Sequence, residues 1–232
     1  MKNQEEQPGC RYTDPEFRGK LCKKLMAPLR SSGFQQLRMD DIAKHMDISK
    51  ATLYKYFSSK DEIIDQVIEN FINYVEEKDA EDLPDVDVPY EKRFRDTFVQ
   101  TYVIASYRSE PFLKDLRETY PDKYAKLEAA IAARNERLRL FYEEGMEAGV
   151  FIRQNATLLI LQDELLFRNL IDPVYLMKYN LTLRNAICDY YQIKKRQILV
   201  SLPAGSAEDA EMRERLERLA QKVALGVGLA QT

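Results

Sequence analysis

Apolar residues recur at steps of three and four along most of this 232-residue chain, which is the spacing of amphipathic helices. The first such face is made by Phe17, Leu21, Leu25 and Leu29. Gly33 follows and suits the end of a helix. Pro28 lies inside this run and is expected to kink its last turn.

Two short helices come next. The pattern predicts one over residues 39–46 and another over about 50–57, joined by a tight turn. Ser59 and Glu62 have the spacing of a capping box, so we expect a fourth helix to start there and to reach about residue 78. A helix-turn-helix unit over residues 14–78 follows from this order, with a loose tail over residues 1–13.

Residues 79–89, DAEDLPDVDVP, are acidic, contain two prolines and lack a helical period, so they are interpreted as a linker. Residues 90–232 return to helical spacing. Helices are expected from Tyr90, from Pro121 to about 148, over 156–170 with Asn155 as its cap, over 182–200 and from about 206. The predicted fold is therefore all-α, with two helical domains.

The predicted helix 156–170 is apolar on every side, so both its faces need cover. We expect it to form a dimer interface with the helix after it. The candidate interface residues are Leu158, Leu161, Leu165, Leu183, Ile187 and Tyr190. The alternative is that both helices are central core helices. The last helix has a coiled-coil-like apolar seam and is expected to pack on its own chain; the seam consists of Met212, Leu216, Leu219 and Val223.

Composition agrees with a helical protein, because apolar residues make up 45% of the chain while Gly and Pro number only 8 and 9. No apolar run is long enough for a membrane span, and the first residues do not resemble a signal peptide, so a cytoplasmic location is expected. Three widely spaced cysteines, Cys10, Cys22 and Cys188, fit reduced thiols better than disulfides.

Charge is unevenly distributed along the chain. Residues 1–60 contain 12 Lys/Arg and 7 Asp/Glu, whereas residues 61–90 contain 1 and 11. A basic N-terminal part can approach phosphate, and the acidic segment behind it would be repelled. This asymmetry makes nucleic acid a candidate partner of the N-terminal part.

The second short helix carries side chains suited to a DNA groove. Ser49 is placed to cap it, while Ala51 and Thr52 allow close approach to a base or a phosphate. Lysines and tyrosines on the same stretch have the reach for phosphate oxygens, and a lysine at the start of the fourth helix is unfavourable for the helix dipole unless an anion is near. The residues predicted to contact DNA are Arg38, Ser49, Lys50, Ala51, Thr52, Tyr54, Lys55, Tyr56 and Lys60.

This segment resembles the DNA-binding domain of TetR-family transcriptional regulators. The resemblance is carried by Ile42-Ala43, Ile48-Ser49, Thr52-Leu53-Tyr54-Lys55-Tyr56-Phe57, Ser59-Lys60-Asp61 and Gly33-Phe34. It covers about residues 14–78. The chain departs from the family pattern at Arg38, where a capping Ser or Thr is usual, at Met46-Asp47 in the turn, and at Ala51, where Gly is common.

The resemblance implies a dimeric regulator, usually a repressor, that binds a near-palindromic operator in double-stranded DNA and is released by a small-molecule effector. It also implies that residues 90–232 form the effector-binding and dimerisation domain. No cofactor and no metal site are expected. Neither the effector nor the operator follows from the sequence. The aromatic residues chosen as effector candidates are Phe98, Tyr102, Tyr107, Phe141 and Phe167.

Two other classes of function are alternatives to a DNA-binding regulator. A helical ligand-binding or adaptor protein that no longer binds DNA is favoured by Arg38 and Asp47. An enzyme is disfavoured, because His45 is the sole histidine and no acid–base cluster is evident. Asp163 or Glu164, within an apolar helix, could bind a cationic ligand, but such an acid more often meets a nearby Arg, such as Arg168, or solvent.

Overall fold

The computed structural model describes residues 14–81, 88–201 and 207–225, and these form twelve helices. The N-terminal part consists of α1 (Pro15–Lys23), α2 (Met26–Ser32), α3 (Met39–Met46), α4 (Lys50–Tyr56) and α5 (Lys60–Glu81). The second part consists of α6 (Tyr90–Tyr107), α7 (Glu110–Thr119), α8 (Pro121–Glu147), α9 (Ala156–Leu170), α10 (Pro173–Lys178), α11 (Leu183–Ile198) and α12 (Ala207–Leu225). The all-α prediction is confirmed. Below, α1–α5 are called the head and α6–α12 the body.

The first predicted helix is broken in two, and the break precedes the proline that was expected to kink its last turn. α1 ends at Lys23, and α2 begins at Met26 with Pro28 in its first turn. Proline has no N–H and its ring crowds the carbonyl four residues earlier, which belongs to Lys24. The chain therefore turns at Lys24–Leu25, and Gly33 ends α2 with φ 72° as predicted.

α5 begins at Lys60, directly after Ser59, which was predicted as its cap. Glu62 N–H donates to Ser59 Oγ at 3.1 Å. The Glu62 carboxylate accepts from Ser58 N–H, at 2.7 Å, rather than from the N–H of Ser59. Because α5 runs to Glu81, residues 79–81 of the predicted linker are helical. Residues 82–87 of that linker, and the predicted tail 1–13, lie outside the described residues.

α8 and α5 pack along each other and join the body to the head. Glu69 on α5 lies 3.3 Å from Lys123 Nζ and 2.9 Å from Lys126 Nζ. Lys123 also pairs with Asp65, one turn earlier on α5. The two lysines lower the pKa of Glu69, the hydrogen bond from Lys126 being the largest cause. These contacts hold one side of the body against the helix that follows α4.

The core of the body is formed where α6 packs on α9 and α11. Asn155 caps α9 by accepting from Leu158 N–H at 3.1 Å, as predicted. The predicted seam of α12 is buried at all four positions and packs on the chain's own α11 and α6. Lys195 of α11 lies 2.7 Å from Asp209 of α12, which adds a charged contact to that packing.

α12 also reaches the head, because Arg30 of α2 donates to the Val223 carbonyl near its end. A cation at the C-terminal end of a helix is favoured by the helix dipole. Within the described ranges, none of the helices is both long and apolar enough to cross a membrane.

Candidate nucleic-acid interface

A left-handed residue between α3 and α4 sets the angle of the two helices. Asp47 has φ 60° and ψ 46°, a conformation that Asp adopts more readily than most non-glycine residues. Ile48 N–H donates to the Ala43 carbonyl at 3.0 Å, which closes the end of α3. Ser49 then caps α4 by accepting from Thr52 N–H at 3.0 Å. The Ser49 cap was predicted from the sequence.

One face of α4 is buried in the head. Leu53 is fully buried, and Phe57 and Tyr56 are 1% and 6% exposed. The prediction that Tyr56 points outward is wrong, because its ring stacks on Phe17 of α1 with centroids 5.2 Å apart. Of the two tyrosines of this helix that were predicted to contact DNA, Tyr56 therefore lies in the core and Tyr54 lies at the surface.

The opposite face of α4 is open. Tyr54 is 50% exposed, Ala51 and Lys55 are exposed, and Thr52 is half-buried. Rigid packing beneath Leu53 fixes the direction in which these side chains project. The structure thus brings four of the predicted DNA-contacting residues together on one surface.

Lys50 shares this surface but already has a partner. Its Nζ lies 2.9 Å from Asp40 Oδ1 at the start of α3, and both side chains are more than half exposed. The hydrogen bond to Asp40 raises the pKa of Lys50. A DNA phosphate approaching Lys50 would compete with this carboxylate, which is a contact that the sequence analysis did not foresee.

Arg38 occupies the N-cap position of α3 without capping it. Its side chain is exposed and accepts no hydrogen bond, since a guanidinium is only a donor. The Asp41 carboxylate instead accepts from Arg38 N–H at 3.1 Å. The guanidinium makes no capping hydrogen bond and lies at the protein surface near the start of α3.

Lys60, at the start of α5, has a hydrogen-bond partner within the chain. Its Nζ donates to the Gln35 carbonyl at 2.9 Å. Gln35 belongs to the loop between α2 and α3, so Lys60 ties that loop to the helix following α4. Two of the three ammonium hydrogens remain for other acceptors.

The same loop is held from the body by a carboxylate of α7. Asp115 Oδ2 accepts from Phe34 N–H at 2.6 Å and from Gln35 N–H at 2.9 Å. Asp115 is 9% exposed, and a side chain at Gly33 would overlap its carboxylate. We call Asp115 with residues 33–35 the head–body joint. This joint was not predicted from the sequence, although an acid on the apolar face of α7 is a signal for it.

The predicted effector residues lie in the body core. Phe98, Tyr102 and Phe141 are buried, and Phe167 is in ring contact with the first two at 5.3 and 5.6 Å. Tyr107 is also buried, but it borders an open cleft of about 620 Å³ between α1 and α5. Only Tyr107 of these five therefore borders a cavity described here.

The predicted interface residues divide between surface and core. Leu158, Leu161 and Leu165 are 63%, 45% and 61% exposed along one side of α9. Ile187 and Tyr190 are 0% and 4% exposed, so their assignment to an interface is wrong, because neighbouring helices of the same protomer already cover them. The sixth candidate, Leu183, is half-buried against the body core.

The acid in the apolar helix α9 has a buried cation as its partner. Asp163 Oδ1 lies 2.9 Å from Lys194 Nζ and accepts from the Tyr190 hydroxyl. Burial raises the pKa of Asp163 and lowers that of Lys194, while their mutual attraction opposes both shifts. Asp163 therefore meets Lys194 rather than a nearby Arg or solvent, whereas Glu164 lies 3.6 Å from Arg108. His45 is exposed on α3, and the described residues contain no group of three metal-ligating side chains.

Comparison with known proteins gives one family and several similar folds. Residues 29–67 match the family model described as bacterial regulatory proteins, tetR family. A curated relative is the biofilm operon icaADBC HTH-type negative transcriptional regulator IcaR of Staphylococcus epidermidis, 25% identical over 131 residues. That match covers 55% of this chain and 62% of the relative, so this chain spans less than two thirds of the relative's length.

Solved structures extend the similarity to the fold of most of the chain. The ketosteroid transcriptional regulator KstR2 of Mycobacterium tuberculosis superposes with a TM-score of 0.56 at 17% identity, covering 84% of this chain and 98% of that one. A TetR-family regulator from Marinobacter aquaeolei VT8 gives 0.57 at 17% identity, covering 89% and 98%. At these identities the likeness concerns the fold alone.

Proposed function

We propose that this chain, which belongs to the TetR family of bacterial regulatory proteins, is a DNA-binding transcriptional repressor that acts as a dimer on a near-palindromic operator. The observation that carries the proposal is the α4 surface. Tyr54 and Lys55 project from a helix whose other face is locked in the head, as a groove-reading helix requires. Repression is the sign of regulation named for the IcaR relative.

Dimeric binding is supported by the outer side of α9. Leu158 and Leu165 are each more than 60% exposed, and Val174 and Met177 of the neighbouring α10 are about 70% exposed. An apolar surface of this kind marks an interaction site. A second copy of the chain would cover it and place two α4 helices in successive major grooves, about 34–36 Å apart.

Release by a small-molecule effector requires that the body transmit a change to the head. The head–body joint connects α7 to α5. Asp115 of α7 accepts a hydrogen bond from Gln35 N–H, and the Gln35 carbonyl accepts one from Lys60 at the start of α5. A shift of α7 would then move the start of α5 and, with it, the end of α4. Two heads displaced in this way would no longer fit one operator together.

Binding to the DNA upstream of the chain's own gene, measured by mobility shift at several salt concentrations, tests the proposal. We expect salt-sensitive, sequence-specific binding. Tyr54→Phe removes one hydroxyl and should weaken binding about two- to tenfold, corresponding to a hydrogen bond of ~0.5–1.5 kcal/mol. Tyr179→Phe is the matched control, since Tyr179 is 53% exposed on the body. Absence of specific binding, or equal loss in both variants, would overturn the assignment.

Sedimentation of Leu165→Glu tests the dimer separately. A charge placed in the α9 row should give a monomer that binds the operator much more weakly, because both heads must bind together. Leu140→Glu serves as control, since Leu140 is 44% exposed on α8 outside the row. A wild-type protein that sediments as a monomer would contradict the dimer.

A further inference from the structure

The open cleft between α1 and α5 has the size and the apolar floor of a small-molecule site. Its volume is about 620 Å³. Pockets that bind drug-sized molecules measure about 300–1,000 Å³ and are mostly apolar, with a few polar groups that orient the ligand. The floor of this cleft includes the buried side chains of Cys22, Val67, Phe71 and Tyr107.

Three aromatic rings line the cleft together. The Phe71 and Tyr107 rings meet edge to face with centroids 5.2 Å apart, and the Tyr74 ring meets that of Tyr107 in the same way at 6.5 Å. Aromatic groups pack edge to face or offset at centroid distances of about 4.5–7 Å, so a ligand ring would extend this arrangement. The lining therefore favours a planar aromatic ligand.

Gly19 on α1 leaves part of the cleft empty. A Cβ at this position would have only Asn70 Nδ2 near it among the described atoms, at 4.0 Å. Neither packing within the described part of the chain nor a positive φ requires a glycine here. Glycine nevertheless weakens a helix more than any residue except proline. A ligand that occupies the space beside Gly19 would account for it.

The polar group nearest to this space is a hydrogen-bond donor. Asn70 Oδ1 accepts from Gln66 Nε2 at 3.0 Å, which orients the amide with Nδ2 toward Gly19. Within the described residues Asn70 Nδ2 has no acceptor, so both of its hydrogens remain for a ligand. The cleft therefore offers a donor beside its aromatic rings.

The charged side chains of the lining do not call for a charged ligand. Glu16 and Lys20 lie one turn apart on α1 and pair with each other at 2.7 Å, and both are more than half exposed. Lys23 is not a free cation either. The second amide of the lining, Asn73, is neutral like Asn70. An uncharged ligand fits this set of groups.

We propose that this cleft binds an uncharged, planar aromatic molecule that carries a hydrogen-bond acceptor. The acceptor would bind Asn70 Nδ2, and the ring would lie beside Gly19 and Phe71. Tyr107, one of the aromatic residues predicted to contact the effector, borders this cleft. The site thus supplies a place and a chemical class for the effector, and in that respect it rests on the proposed function.

α1 connects the cleft to α4. Phe17 stacks on Tyr56 with centroids 5.2 Å apart, and the Arg18 guanidinium lies 4.6 Å from the centroid of the Phe57 ring. Gly19 directly follows these two residues of α1. A ligand that fixes the spacing of α1 and α5 therefore acts on the end of α4 without passing through the head–body joint.

Titration calorimetry on the full chain without DNA tests the site. The main probe is coumarin, a planar, uncharged molecule whose lactone carbonyl is an acceptor. δ-Valerolactone keeps the lactone but lacks the aromatic ring, and coumarin-3-carboxylate adds a negative charge. We expect saturable binding of coumarin, weaker binding of its carboxylate and none of δ-valerolactone.

Two variants and a control locate the binding. Gly19→Leu fills the cleft from α1 and should abolish coumarin binding while the helix is retained, because Leu is a better helix former than Gly. Ala129→Leu adds a similar side chain at an exposed position of α8 and should change nothing. Asn70→Asp keeps the acceptor for Gln66 but loses the Nδ2 donor, and should weaken coumarin binding about two- to tenfold.

The outcomes separate the site from its details. No saturable coumarin binding, equal binding in Gly19→Leu and wild type, or equal binding of coumarin and δ-valerolactone would overturn the site, leaving a groove that holds solvent. Equal coumarin affinity in Asn70→Asp and wild type would overturn the role of Asn70, and equal affinity for coumarin and its carboxylate would overturn the preference for an uncharged ligand.

Mobility shifts test the link to DNA. Saturating coumarin should change the operator affinity of the wild type by at least about fivefold and leave that of Gly19→Leu unchanged. An unchanged wild-type affinity would overturn the coupling through α1. Coumarin binding that depends on Gly19 in a protein without operator affinity would support the site and refute the proposed function. Operator binding without coumarin binding would do the reverse.

Discussion

Replacing Asp115 by Asn should loosen the head–body joint without changing its shape. The same atom, Asp115 Oδ2, accepts from Phe34 N–H and Gln35 N–H, and the Asn side-chain oxygen can take its place. What is lost is the negative charge. Hydrogen bonds to a charged group contribute about 1.5–3 kcal/mol and neutral ones about 0.5–1.5 kcal/mol, so each of the two bonds should weaken by about 1–1.5 kcal/mol and the free energy of unfolding should fall by roughly 2–3 kcal/mol.

Asp115→Ala should cost more, because it removes the acceptor altogether. Phe34 N–H is buried and Gln35 N–H is partly buried, so leaving both unsatisfied should lower the free energy of unfolding by about 2–5 kcal/mol. Urea denaturation gives these values, and hydrogen exchange at the Phe34 amide reports on the joint itself. We expect exchange to accelerate in the order wild type, Asn, Ala.

Glu118→Gln is the control for this series, because Glu118 is exposed on the same helix and its carboxylate accepts from the Gln35 side chain at 3.4 Å. Its effect should stay within about 0.5 kcal/mol. If Asp115→Asn matched Glu118→Gln in stability and in Phe34 exchange, the carboxylate would not be holding the loop, and the argument for transmission through α7 would fail.

Three further predictions concern the head. Gly33→Ala should destabilise by more than about 2 kcal/mol in urea denaturation, because φ 72° with ψ −163° is a conformation essentially restricted to Gly and the added carbon would overlap Asp115; a neutral effect would contradict this backbone geometry. Burial raises the pKa of the Cys22 thiol to about 12 in the folded protein. Above the ordinary thiol pKa of about 8.5, the unfolded chain therefore loses the thiol proton while the folded protein keeps it, and the free energy of unfolding should fall by about 1–2 kcal/mol by pH 10. Denaturation of Cys22→Ala at pH 8 and pH 10 checks this, since its loss between the two should be smaller than that of the wild type. Asp40→Asn should free Lys50 for phosphate and steepen the salt dependence of DNA binding in mobility shifts, and unchanged binding would show that their ion pair plays no part.

Local signals in the sequence were enough to place most helices of the head. Ser49 and Gly33 act through hydrogen bonds and backbone conformations within a few residues, so each could be assigned without knowing the fold. The family of the head was likewise evident from short-range spacing. Its outward residues were predicted less well, because the period of α4 did not show that α1 covers Tyr56.

Contacts between residues distant in sequence were decided by the tertiary structure alone. Periodicity assigned Ile187 and Tyr190 to an apolar stripe, but whether a stripe meets its own core or another chain depends on which helices pack beside it. Asp115 accepts from amides about 80 residues away, and Asp163 of α9 pairs with Lys194 of α11. The sequence alone therefore determined the helices and their caps, since these arise from neighbouring residues, whereas the joint and the buried Asp163–Lys194 pair exist only where packing brings distant helices together.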